Sequence, residues 1–83
     1  MNVMIVDDIK PSREILAKII RSSFHCATIL AESGKEALTI LSSQTPDVVL
    51  LDVLMPHMNG AEFLHILRSN NDWKNIPVVI ISG

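Results

Sequence analysis

Three short apolar runs are the feature of this sequence that most limits its fold. They are rich in β-branched residues and occupy residues 3–6, 48–51 and 78–81. None of them alternates apolar with polar side chains, which is typical of strands buried on both faces of a parallel sheet that helices cover. A fourth run, at residues 26–31, contains Thr28 and predicts a weaker strand nearer a sheet edge.

Amphipathic helical patterns separate these runs. The patterns cover residues 12–23, 35–43 and 61–69, and each places apolar side chains on one face of a helix. Pro11 fits the first turn of the first helix, where its missing N–H costs nothing. The resulting order is β-α-β-α-β-α-β, with connections long enough for right-handed crossovers between parallel strands. The sequence therefore predicts an α/β fold in one small domain, residues 1–83.

Composition excludes several classes of partner and location. The net charge is −2 with no basic cluster, which argues against a nucleic-acid-binding surface. The longest apolar run is far shorter than the roughly 20 residues of a membrane span, and no basic segment precedes the first strand as in a secretory signal. Cys26 is the single cysteine, so an intrachain disulfide is excluded and a cytoplasmic location is expected.

Acidic side chains follow two of the buried runs, at the points where the strands should end. Asp7 and Asp8 follow the first run, Asp52 follows the third in chain order, and Ser82 follows the last. In an open parallel sheet, ligands bind beyond the carboxyl ends of the strands. We therefore expect three carboxylates and one hydroxyl to meet at that edge.

Such a cluster has a defined chemistry. Carboxylates this close destabilise a fold unless a cation lies among them, and oxygen ligands at an open site suit Mg²⁺. A carboxylate can also attack phosphorus to form an aspartyl phosphate, with the metal offsetting charge on the phosphoryl group. Ser82 would donate a hydrogen bond to a phosphoryl oxygen. Taken singly, Asp7 or Asp8 is also explained as a helix-capping or turn residue, and Asp52 as the start of a loop.

These residues closely resemble the receiver domain of two-component response regulators. The resemblance spans the whole chain, and the Asp-x-x-Met-Pro-x-Met-x-Gly segment beginning at Asp52 is its most specific part. The motifs that carry it are Asp7-Asp8 after the first strand, Leu50-Leu51-Asp52 followed by Met55-Pro56 and Met58-Asn59-Gly60, and Ser82-Gly83 after the fourth strand.

The resemblance implies a role for each residue of the predicted site. Asp52 would be the phospho-acceptor, and Asp8 would be a direct Mg²⁺ ligand together with Asp52. Asp7 would hold a metal-bound water, and the backbone carbonyl of Leu54 would complete the protein's share of the metal shell. Ser82 would be the switch hydroxyl that moves toward the phosphoryl group. The phosphodonor would be a histidine kinase or a phosphotransfer protein, and the chain itself would not be an enzyme.

The resemblance also implies a flavodoxin-like, doubly wound parallel sheet with strand order 2-1-3-4. Receiver domains continue through a fourth helix, a lysine-bearing fifth strand and a fifth helix, which the 83 residues of this partial domain do not include. Without them, we expect impaired phosphoryl transfer, an exposed last strand and one sheet face covered by a single helix. Apolar edges and faces are association sites, so we expect a homodimer or an element-swapped oligomer through the last strand.

Two other functions stay open from the sequence. The first is a protein-interaction or dimerisation module that keeps the receiver fold without switching; Mg²⁺-dependent labelling of Asp52 would separate it from a phospho-acceptor. The second is a Mg²⁺-dependent phosphatase or nuclease that uses the acidic cluster. Phosphatases of the haloacid-dehalogenase type carry Asp-x-Asp after their first strand, whereas this chain has Asp7-Asp8-Ile9.

Overall fold

The computed structural model describes residues 1–52 and 59–81. Strands and helices alternate along the chain, as the sequence predicts. The strands are β1 (Asn2–Val6), β2 (Ala27–Ala31), β3 (Val48–Asp52) and β4 (Val78–Ile81), and the helices are α1 (Lys10–Phe24), α2 (Gly34–Leu41) and α3 (Gly60–Ser69).

The strands form one parallel sheet in the order β2-β1-β3-β4. This arrangement confirms the predicted fold and strand order, and β2 lies at an edge as expected. Val6 at the end of β1 pairs in register with Ala31 of β2 and with Leu51 of β3. The carboxyl ends of these three strands therefore lie side by side, and the residues that follow them share one edge of the sheet.

Alternate residues of each strand face two different helical layers. Met4, Val6, Val49 and Leu51 pack in one core cluster with side chains of α2 and α3, among which Phe63 is fully buried. The strand residues between them, among them Val3 and Ile5, face α1 and form a second, smaller cluster with Ala17 of that helix. In the described part of the chain, one sheet face is thus covered by two helices and the other by α1 alone, as the sequence predicts.

Two of the helices begin at short polar residues that cap them. Ser33 accepts a hydrogen bond from the Glu36 amide at 3.0 Å, and Asn59 accepts one from the Glu62 amide at 2.9 Å. Such caps satisfy amides that have no partner inside the helix. Ile9, the N-cap of α1, makes no side-chain capping bond, so this helix begins instead with a proline in its first turn.

The apolar run of β4 is by itself typical of a strand buried on both faces, but the strand is exposed, as expected for the last strand of this segment. Val79 and Ile80 are 51% and 48% exposed, and β4 pairs with β3 alone among the described residues. Val79 lies beside Leu50 in the register, on the sheet face that α1 covers, but α1 packs over β1 and β2. An apolar, β-branched run therefore predicted the strand correctly and its burial incorrectly.

Candidate metal centre

Three carboxylates meet at the carboxyl ends of β1 and β3. Asp7 and Asp8 follow β1, Asp52 is the last residue of β3, and one carboxylate oxygen from each lies within 4.8 Å of the other two. The pairing of Val6 with Leu51 brings the two strand ends together. The structure thus assembles, from two separate parts of the chain, the acidic cluster formed by Asp7, Asp8 and Asp52.

Asp7 is held by the first turn of α1. Its side chain is buried; Oδ1 accepts a hydrogen bond from the Ile9 amide at 2.9 Å, and Oδ2 accepts one from the Ser12 hydroxyl at 2.6 Å. Arg13 Nη1 donates to the backbone carbonyl of Asp7 at 2.8 Å. The amide of Asp7 donates to the carbonyl of Ala31 at 3.1 Å, which extends the β1–β2 pairing by one residue. Asp7 therefore fills the turn role considered from the sequence and also belongs to the acidic cluster.

Asp8 presents an oxygen that the described part of the chain leaves without a hydrogen bond. The residue is half-buried, and its Oδ1 atom is shielded from solvent and accepts no hydrogen bond from residues 1–52 and 59–81. A buried polar atom without a partner costs free energy, so it marks a place where a ligand would be stabilising. Because two further carboxylates lie beside Asp8 Oδ1, the ligand that would stabilise it is a cation.

The donor set fits Mg²⁺. All three side chains supply hard carboxylate oxygens at a partly open strand edge, and Mg²⁺ prefers one or two carboxylates with its remaining positions filled by water or phosphate. Asp52 is half-buried and pairs in register with Ile81 of β4, so the cluster also lies next to the end of that strand.

Two predicted members of the site, Leu54 and Ser82, lie outside the described residues. Their predicted roles, a backbone carbonyl ligand and a switch hydroxyl, stay predictions. Sequence reasoning missed the contacts that Ser12 and Arg13 make with Asp7. The available signal was a small hydroxyl residue and an arginine in the first helical turn after the acidic pair.

No helix in residues 1–52 and 59–81 combines the length and the apolar character that crossing a bilayer requires.

Curated proteins similar to this chain are response regulators. Response regulator MprA of Mycolicibacterium vanbaalenii is 36% identical over 84 residues, which cover 100% of this chain and 35% of that protein. The Regulator of RpoS of Escherichia coli is 38% identical over 81 residues, covering 98% of this chain and 23% of that protein. The chain therefore spans about a third or less of the length of these relatives.

Solved structures share the fold closely. The signal receiver domain of a signal transduction histidine kinase from Syntrophus aciditrophicus matches with a TM-score of 0.91 at 32% identity, over 96% of this chain and 60% of that one. Chemotaxis protein CheY4 of Vibrio cholerae matches with a TM-score of 0.89 at 29% identity, over 95% of this chain and 65% of that one. The family model of the response regulator receiver domain matches residues 3–83. With its parallel sheet and its acidic cluster at the strand ends, the chain belongs to the response regulator receiver domain family.

Proposed function

We propose that this chain is a phospho-accepting receiver module of a two-component phosphorelay. A carboxylate oxygen of Asp52 attacks the phosphorus of a phosphorylated histidine on a kinase or phosphotransfer protein. The phosphorus–nitrogen bond breaks, and an acyl phosphate forms on Asp52. The observation that carries this proposal is the acidic cluster, whose carboxylate oxygens lie within 4.8 Å of one another.

Each residue of the proposed site has a distinct role in binding Mg²⁺ or the phosphoryl group. Asp8 and Asp52 would bind Mg²⁺ directly, Asp7 would hold a metal-bound water, and Leu54 would supply its backbone carbonyl as a further oxygen. When bound, Mg²⁺ offsets the negative charge of the phosphoryl oxygens during transfer. Ser82 donates a hydrogen bond to the phosphoryl group once it is attached. Asp8 Oδ1 supports the metal assignment, because it accepts no hydrogen bond from the described residues and a cation would stabilise it.

Labelling of Asp52 tests the proposal. The 83-residue chain is incubated with acetyl phosphate and Mg²⁺, and intact mass is followed by peptide mapping. We expect addition of one phosphoryl group at Asp52, lost in Asp52→Asn and on chelation with EDTA, and unchanged in the surface control Asp72→Asn. Labelling that persists in Asp52→Asn, or that is indifferent to EDTA, would contradict the proposal.

The extent of labelling tests the predicted impairment. In receiver domains a later lysine contacts the phosphoryl group, and this 83-residue segment does not include it. We therefore propose that labelling of the segment alone is slow and substoichiometric. Rapid, stoichiometric labelling of Asp52 would show that the lysine is dispensable here.

A second candidate is a non-switching module that associates through its exposed apolar surface. The supporting observation is the exposure of Val79 and Ile80 on β4, and of Ile15 and Ile19 on α1, each about half exposed or more. Absence of labelling together with stable self-association would favour this candidate.

Neither candidate function includes catalytic turnover of a substrate. We propose that the chain receives a phosphoryl group and is not a phosphatase or nuclease, and a generic phosphate ester checks this cheaply. We also propose a cytoplasmic location, which the free Cys26 supports because thiols stay reduced there.

A further inference from the structure

We propose that Ser12 is a positioning residue for the acidic cluster, and that it favours Mg²⁺ over Ca²⁺ by fixing the orientation of Asp7. The inference rests on the proposed function, since it takes the cluster to be the metal site. It goes further by assigning metal selectivity to a residue that contacts no metal.

The geometry singles out Ser12. Its hydroxyl lies 2.6 Å from Asp7 Oδ2, while the Ile9 amide lies 2.9 Å from Asp7 Oδ1. The carboxylate is therefore held at both oxygens, and rotation of the carboxylate group would lengthen both hydrogen bonds. Of these two donors, the Ile9 amide belongs to the backbone, so the hydroxyl of Ser12 is the one that a side-chain substitution removes.

Electrostatic repulsion gives this hydrogen bond its importance. Asp7 shares the cluster with Asp8 and Asp52, whose oxygens come within 4.8 Å, and like charges at that distance repel. A carboxylate held by one donor alone could turn away from its neighbours. Ser12 opposes that rotation, so Asp7 keeps the orientation in which it faces the other two carboxylates before any metal arrives.

Mg²⁺ and Ca²⁺ respond differently when the carboxylate that holds a metal-bound water, here Asp7, is loosened. Mg²⁺ demands nearly ideal octahedral geometry, whereas Ca²⁺ accepts irregular shells of variable coordination number. Groups that orient a metal ligand typically contribute 10- to 100-fold in affinity. Loss of the Ser12 hydroxyl should therefore weaken Mg²⁺ binding much more than Ca²⁺ binding.

Calorimetric titration of the 83-residue chain with Mg²⁺ and, separately, with Ca²⁺ tests the inference. For Ser12→Ala we expect the Kd for Mg²⁺ to rise about tenfold, and the Kd for Ca²⁺ to rise about threefold or less. Ser12→Thr, which keeps the hydroxyl, should keep the Mg²⁺ affinity of the unsubstituted chain. Ser12→Val, which has the shape of threonine without the hydroxyl, should lose affinity as Ser12→Ala does. Ser22→Ala is the matched control, because its hydroxyl bonds the Lys18 carbonyl in the same helix.

Each result decides a different point. A purely structural role for Ser12 would lower thermal stability in EDTA and leave the ratio of the two Kd values unchanged, and that outcome overturns the inference while the proposed function stands. An equal rise in the Kd values for Mg²⁺ and Ca²⁺ overturns the inference as well. If the unsubstituted chain binds neither cation, the metal site itself fails, and the inference falls with it.

Discussion

At the scale of single residues, the acidic cluster is built from unequal members. Asp7 is buried and has a donor at each carboxylate oxygen, whereas Asp8 is half-buried and Oδ1 has none from the described residues. Of these two residues, Asp8 is therefore the one whose burial carries the larger free energy cost. A bound cation would offset that free energy cost, whereas nothing offsets it in the metal-free chain.

Removing the charge of Asp8 should stabilise the metal-free chain. For Asp8→Asn we expect the free energy of unfolding in EDTA to rise by about 1 kcal/mol, because an uncompensated carboxylate oxygen and the like-charge repulsions with Asp7 and Asp52 disappear. Stabilisation by added Mg²⁺ should disappear in the same variant. Urea unfolding with and without Mg²⁺ measures both effects, and Asp72→Asn serves as the surface control. A loss of stability in EDTA would contradict this account.

At the scale of elements, α1 connects the site to the rest of the fold. Its first turn holds Asp7 through Ile9, Ser12 and Arg13, and its last turn reaches β2 through a bond from Arg21 to the Thr28 hydroxyl. The helix is followed by its C-cap His25, the one non-glycine residue with positive φ in the described chain, at 53°. Left-handed backbone is disfavoured for residues with a Cβ atom, so this helix end carries strain.

Glycine at the end of α1 should relieve that strain. We expect His25→Gly to raise the free energy of unfolding by about 0.5 kcal/mol, the gain in the left-handed region exceeding the added entropy of the unfolded chain. The same substitution at His65, on the exposed face of α3, should lower stability by about 0.5 kcal/mol because glycine is a poor helix former. Urea midpoints of the two variants compare them directly. Destabilisation by both would show that His25 is unstrained.

At the scale of the whole molecule, the two sheet faces are covered unequally. α2 and α3 cover one face, while α1 alone packs on the other. Arg21 marks the side of α1 that faces β2. Ile15 and Ile19 lie on the opposite flank by helical spacing and are 60% and 50% exposed, on the side of the sheet that carries Val79.

This unequal cover is the basis for the predicted self-association. We expect the 83-residue chain to be a dimer at micromolar concentration, with β4 at the contact, because exposed apolar edge strands pair with other chains. Val79→Lys should shift the chain to monomer, since a charge on an edge strand opposes pairing. Thr39→Lys, on the exposed face of α2, is the control. Light scattering that shows a folded, unsubstituted monomer would contradict the prediction.

The elements and the acidic cluster could be predicted for the same reason. Buried parallel strands consist of unbroken apolar runs, and the residues that follow these runs lie at one edge of the sheet. Exposure of β4 could not be predicted that way, because an apolar run does not reveal which neighbours cover it. The contacts of Ser12 depend on how α1 approaches β1, and the left-handed backbone of His25 on how α1 turns into β2. Both are tertiary properties that local patterns do not encode.

If Mg²⁺ binds the acidic cluster as proposed, the Asp8 oxygen that the described residues leave without a hydrogen bond affects how long the chain survives in a cell. A cation that binds only the folded state adds stability by mass action, about 1.4 kcal/mol when its free concentration is ten times Kd. The unfolded fraction, on which proteases act, would then fall about tenfold. The turnover of the chain would then depend on the concentration of free Mg²⁺ around it.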